Sequence, residues 1–186
     1  MADVTRTLAR LRVPLGFLFA VLVIVLARPT GSTLVVGGAI ALAGEALRIW
    51  AAGHLNKSRE VTQSGPYGYC AHPLYVGSSV MGVGLALASG SLWVVVLIAL
   101  YLGSTITAAI RSEEAFLRQK FGEQYDRYRR GDAGARDSAA ATRRFSAAQA
   151  RANHEYRAMI GVVLAVLLLS LKAAYTGAFW QAAGTP

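Results

Sequence analysis

The sequence predicts an all-α fold: an integral membrane bundle of about five transmembrane helices with a cytoplasmic amphipathic helical segment. Three observations predict it. Hydrophobic residues make up 54% of the 186 and charged residues only 16%, against about a quarter in soluble domains. The apolar residues arrive in blocks near span length rather than evenly spread, with a mean hydropathy of +0.41. The basic residues gather between those blocks on alternate sides.

The first expected span is VPLGFLFAVLVIVLA, residues 13–27, short unless tilted or extended. RPTGS then turns the chain. The second span runs from Thr33 to Ala52 and the third from Pro73 to Ser89. SGS makes a tight turn into the fourth, Leu92 to Ile110, and the last is AMIGVVLAVLLLSLKAAY, residues 158–175. Gly77, Ser78, Gly82 and Gly84 line the third span. Of these, Ser78 and Gly82 have the small-xxx-small spacing that lets helices approach closely. Residues 112–130, SEEAFLRQKFGEQYDRYRR, read as the amphipathic helix, with Phe116, Phe121, Tyr125 and Tyr128 at roughly helical spacing. Gly122 is expected to weaken or bend it. Residues 131–142 are small and polar and read as a flexible loop. Residues 143–157 read as a second basic interfacial helix leading into the last span. The chain carries no internal repeat and reads as a single domain, 1–186, with a site core at about 44–130.

The net charge of +9 suits either nucleic acid or an anionic membrane surface. Placement decides for the membrane: the basic residues flank apolar runs, so nucleic acid is excluded as a partner. RTLARLR, then Lys57 and Arg59, then the segment from Arg111 to Arg157 hold most of the positive charge. Arg28 and Lys172 stand alone on the other side. The positive-inside rule puts the N-terminus in the cytoplasm and the C-terminus outside, which an odd number of spans satisfies. The N-terminal apolar segment does not read as a cleavable signal. Cys70 is the single cysteine; it has no disulfide partner and reads as buried filler. His54, His72 and His154 are too scattered to form a metal cluster.

Two segments do not fit a plain bundle. GPYGYCAHPLYVG, residues 65–77, interrupts the apolar pattern. Pro66 fixes φ and Gly65 and Gly68 relax it, so the segment turns. Pro73 suits a first helical turn, so His72 marks the start of the third span, where free amides attract anions. Tyr75, three residues on, shares a face with His72. RSEEAF, residues 111–116, closes the fourth span with two adjacent acids. Adjacent residues on a helix point about 100° apart. Glu114, between Arg111 and Arg118, fits a surface charge ladder, leaving Glu113 freer to face inward and hold a cation. Each feature has a plain alternative. His72 can be a polar cap, the acids a solvated rim, and Tyr67, Tyr69 and Tyr75 an interfacial belt. Glu45 and Arg48 can neutralise each other. The residues by themselves support a polar site near the cytoplasmic face.

The ordered set GPY (65–67), AHPLYVG (71–77), EE (113–114) and FGEQYDRY (121–128) resembles the isoprenylcysteine carboxyl methyltransferase family, related to the phospholipid methyltransferases. Its approach, LRIWAAGHLNKSREVTQSGPY, and NHEYRAMIG before the last span look like bacterial members. The resemblance implies S-adenosylmethionine as methyl donor and a bacterial inner membrane location. It implies a lipophilic or lipid acceptor, a carboxylate or an amine, methylated by direct in-line transfer. Carried over by position, Tyr67, His72, Pro73 and Tyr75 would contact the cofactor, Glu113 and Glu114 would complete its pocket, and His72, Glu113 and Glu114 would be the catalytic residues. Ala71 stands where the family has arginine. Two other readings stay open: an NADPH-dependent membrane reductase of the sterol or isoprenoid type, and a non-catalytic membrane protein.

Overall fold

The computed structural model describes residues 18–57, 59–132 and 142–178. Among these the chain is helical and carries no strand. The helices are α1 (18–26 within the described residues), α2 (Gly31–His54), α3 (Pro73–Ala88), α4 (Leu92–Phe121), α5 (Glu123–Arg130), α6 (Ala147–Ala152) and α7 (Tyr156–Tyr175). A 3₁₀ turn, Gly65–Gly68, precedes α3.

By length and composition α2, α4 and α7 can cross a membrane. The expectation of five spans is met in part. Residues 13–17 of the first lie outside the described residues. The third, α3, is apolar but has 16 residues, roughly 24 Å against a hydrocarbon core of about 30 Å. The fourth runs well past the expected end at Ile110. Its 30 residues extend roughly 45 Å, so the apolar part spans and the final turns carry Glu113 and Glu114 into the interface. No helix break separates it from an amphipathic helix at 112. The break comes at Gly122, whose φ of +50° L-residues avoid, and only α5 follows as a separate helix. Residues 131 and 132 close α5; the rest of the expected loop to 141 lies outside the described residues. The expected helix at 143–157 is broken too. Residues 143–146 are not helical, α6 is one short helix, and a turn with His154 at φ +60° leads into α7.

The closest pair is α2 with α3, antiparallel. A Cβ on Gly37 would meet the Ala88 amide at 2.2 Å, and one on Gly44 the Met81 amide at 2.4 Å. From the other side, a Cβ on Gly84 would meet the Ala41 amide at 2.3 Å. Gly37 and Gly44, like Gly77 and Gly84, are seven residues apart, so each pair lies on one helix face. The close approach uses this spacing of seven rather than Ser78 and Gly82. Gly82 instead admits Leu102 of α4, and Ser78 bonds Arg48. α4 leans on this pair by a narrow strip, and Val94 is its one buried residue.

The end of the bundle away from the acids is pinned by local chemistry. Thr30 and Thr33 form a reciprocal cap on α2. Lys172 donates to the Ile24 and Val25 carbonyls at 2.6 and 2.9 Å, satisfying the last carbonyls of α1. The Arg28 amide donates to the Ser89 carbonyl at 2.6 Å. Ala27, Leu34, Ala88, Leu169 and Ala173 pack together there.

Candidate active site

At the other end, where α2 finishes and α3 begins, the polar residues converge. The loop 55–64 is not a solvated link: Val61, Thr62, Gln63 and Ser64 are buried. Backbone polar groups at such a place need partners, and residues 149–153 supply several. Asn153 donates to the Ala52 and Leu55 carbonyls at 2.8 and 2.9 Å, and Gln149 to Leu55 at 2.9 Å. The His54 ring bonds the Ser64 hydroxyl at 3.0 Å. Gly65, at φ +56°, lies flat against that ring, where a Cβ would come within 2.5 Å of it. The turn is thereby fixed, and with it Tyr67 and the start of α3.

His72 is the N-cap of α3 and makes no side-chain cap bond. Its ring faces the acids of α4 instead. Nε2 lies 3.2 Å from Glu114 Oε1 and Nδ1 lies 3.8 Å from Glu113 Oε2. The two acids then diverge. Glu114 is held by Arg129 of α5 at 3.0 Å and by Arg118 at 3.5 Å. Glu113 has no Lys or Arg partner among the described residues; the Tyr75 hydroxyl reaches its carboxylate. Glu113 and His72 line a cavity of about 590 Å³, as do Tyr67, Tyr75, Tyr125 and Tyr128. Glu114 and Pro73 stand outside its lining. Tyr67 and Tyr75 are therefore cavity walls, and among the three tyrosines considered for a belt only Tyr69, 87% exposed, faces outward. Cys70 is exposed, not buried filler: its turn projects it away from the helix pair.

α5 walls the cavity on another side, through Tyr125 and Tyr128. The Tyr128 hydroxyl donates to the Tyr67 carbonyl at 2.7 Å. Burial pushes the Tyr67 phenol far up, helped by Glu113. Burial raises Tyr128 too, and Tyr125 with Glu114 adding to it. All three remain neutral donors at physiological pH. Tyr125 is 1% exposed and its hydroxyl has no hydrogen-bond partner among the described residues, a costly state unless a ligand supplies one.

Sequence reading missed this role for Tyr125 and Tyr128, which read only as the apolar face of a surface helix. It also missed the partner of Arg48. That guanidinium lines the cavity and lies 2.7 Å from Glu155 at the start of α7, but 3.7 Å from Glu45. It also donates to Ser78. One side chain thus joins α2, α3 and α7. Charge pairs between distant segments leave no periodic trace in sequence.

The family described as phospholipid methyltransferase matches residues 30–124. The chain is 39% identical over 85 residues to the nickel-cobalt-cadmium resistance protein NccN of Alcaligenes xylosoxydans xylosoxydans, which covers 45% of this chain and 39% of that protein. It is 32% identical over 92 residues to the protein-S-isoprenylcysteine O-methyltransferase of Schizosaccharomyces pombe, covering 50% and 39%. It is 37% identical over 78 residues to the cobalt-zinc-cadmium resistance protein CzcN of Cupriavidus metallidurans, covering 41% and 36%. The match therefore spans under half the length of each of these relatives. No solved structure matches the chain.

Proposed function

The chain belongs to the phospholipid methyltransferase family, and from that premise we propose that it is an integral membrane methyltransferase using S-adenosylmethionine on a lipophilic small molecule or lipid. The observation that carries the reading is the cavity in which His72 of α3 and Glu113 of α4 meet. The similarity to an isoprenylcysteine O-methyltransferase supports it.

The residues present fit such a donor. The cavity is within the range that encloses small ligands, about 300–1,000 Å³. Its Glu113 carboxylate, with no Lys or Arg partner among the described residues, suits an ammonium or sulfonium. The orphaned Tyr125 hydroxyl suits a ribose or adenine acceptor atom, and the walls of Tyr67, Tyr75 and Leu74 suit an apolar ring face. Bound there, the donor supplies a methyl group activated by a positive sulfonium. The protein then contributes placement and dryness. α5 and the 55–64 loop exclude water, and Glu113 and Tyr67 orient the reactant. Alignment of two reactants can contribute roughly 7–11 kcal/mol.

A carboxylate acceptor is already anionic near pH 7 and needs no base. An amine acceptor must lose a proton, and His72, hydrogen-bonded to Glu114, is placed to take it. Glu114 acts in this reading through His72, as its orienting partner. The acceptor approaches from the bilayer alongside α4, and the donor from the cytoplasm. On the resemblance to bacterial members the membrane is read as a bacterial inner membrane, and on the distribution of Lys and Arg the N-terminus and cofactor site are read as cytoplasmic and the C-terminus as outside.

The test is incubation of purified protein with a total lipid extract and donor carrying a labelled methyl. Label is expected in the organic phase, base-labile for a methyl ester and base-stable for an N-methyl group. Label confined to unreacted donor across extracts from several membranes would contradict the proposal.

A further inference from the structure

Four charged side chains line the cavity: Arg48, Lys57, Glu60 and Glu113. Two are already paired. Arg48 is held by Glu155 at 2.7 Å and approached by Glu45 at 3.7 Å. Glu60 is held by Arg143 at 2.6 Å. The remaining two are Glu113, with no Lys or Arg partner, and Lys57, with no acidic partner, among the described residues. They stand on different elements, α4 and the 55–64 loop, and do not pair with each other. A cavity that keeps one anion without a Lys or Arg partner and one cation without an acidic partner, among the described residues, complements a zwitterion.

Lys57 is not a loose surface residue by position. Its loop is anchored on both sides, by Gln149 and Asn153 at Leu55 and by the Asn56 amide donating to the Thr62 hydroxyl at 3.2 Å. The ammonium is a mobile point charge on a flexible stem, exposed in this structure, so it can swing to an anion at the cavity mouth. Arg48 is a poorer choice, since a carboxylate arriving there must compete with two acids.

We propose that Lys57 binds the α-carboxylate of the methyl donor, with Glu113 taking the ammonium of the same amino-acid end. This rests on the donor being S-adenosylmethionine, as argued above. The adenosine portion then lies toward the tyrosines of α5.

The experiment measures equilibrium binding of S-adenosylmethionine and of its decarboxylated analogue to the full chain in detergent, for wild type, Lys57→Ala and Lys57→Arg. Wild type is expected to prefer the carboxylated form. Lys57→Ala should weaken S-adenosylmethionine about tenfold or more and leave the analogue within about twofold, since the lost contact is to a group the analogue lacks. Lys57→Arg should keep most of the affinity. Equal loss for both ligands, or no loss for either, overturns the assignment while leaving the donor identity intact. An unchanged donor affinity with weakened turnover of the lipid acceptor would instead move Lys57 to an acceptor headgroup, and also overturns it. Wild type that binds neither compound removes the donor reading itself, a result the variants do not mimic.

Discussion

Glu113→Gln is expected to weaken binding of the methyl donor roughly 10- to 100-fold, the worth of a charge-assisted hydrogen bond, and to lower methyl transfer at least as much. The melting temperature should not fall. Glu113 touches His72 only at 3.8 Å and is paired with no Lys or Arg among the described residues, so the fold loses little when the charge goes. Glu114→Gln should show the opposite balance. Glu114 joins α3, α4 and α5 through His72, Arg118 and Arg129, and it stands outside the cavity lining. Its loss should loosen α5 and free the His72 ring from its orienting partner, with a smaller direct effect on donor affinity. Isothermal titration beside thermal unfolding in the same detergent separates the two. If the two variants behave alike, the division of labour between the acids is wrong.

Gly84→Leu is expected to do the most damage to the fold. A Cβ alone at that position would lie 2.3 Å from the Ala41 amide and 2.6 Å from the Gly37 carbonyl, and backbone cannot rotate away as a side-chain tip can. Overpacking typically costs about 1–3 kcal/mol, and here the helices must separate along the contact that also sets Arg48 against Ser78 and Leu74. Stability and activity should fall together. Gly103→Ala and Gly161→Ala are the controls. Among the described residues no atom would lie within 4 Å of the added carbon, so these changes should be neutral or slightly stabilising. Measured unfolding in detergent, with size-exclusion profiles, reads all three. A Gly84→Leu protein as stable as wild type would refute the close α2–α3 packing.

Much of this architecture was legible because bilayer physics writes itself locally. Apolar blocks gave the cores of α2, α4 and α7 to within a few residues at most boundaries. Pro73 marked the start of α3, since a ring without an N–H costs nothing at a first turn. Glu114 with Arg118, four apart, was readable from helical spacing. What stayed hidden depends on tertiary proximity. The unbroken run of α4 to Phe121 leaves no such signal, because charges at 111–114 look like the end of a span although a helix persists into the interface when its backbone bonds stay intact. Tyr125 and Tyr128 showed the right periodicity, but periodicity gives a face and not what the face covers. The buried loop 55–64 looks polar in sequence. Its burial follows from Asn153 and Gln149, roughly a hundred residues later.

The central claim is that the start of α3 and the last turns of α4 enclose one sulfonium-bearing nucleoside. Isothermal titration of S-adenosylmethionine and S-adenosylhomocysteine into the purified, folded full chain tests it most directly. The account predicts saturable one-to-one binding of each, mutual competition, and weaker binding of both in Glu113→Gln, since both carry the ammonium assigned to Glu113. Absence of saturable binding by either compound to protein that unfolds cooperatively would contradict it.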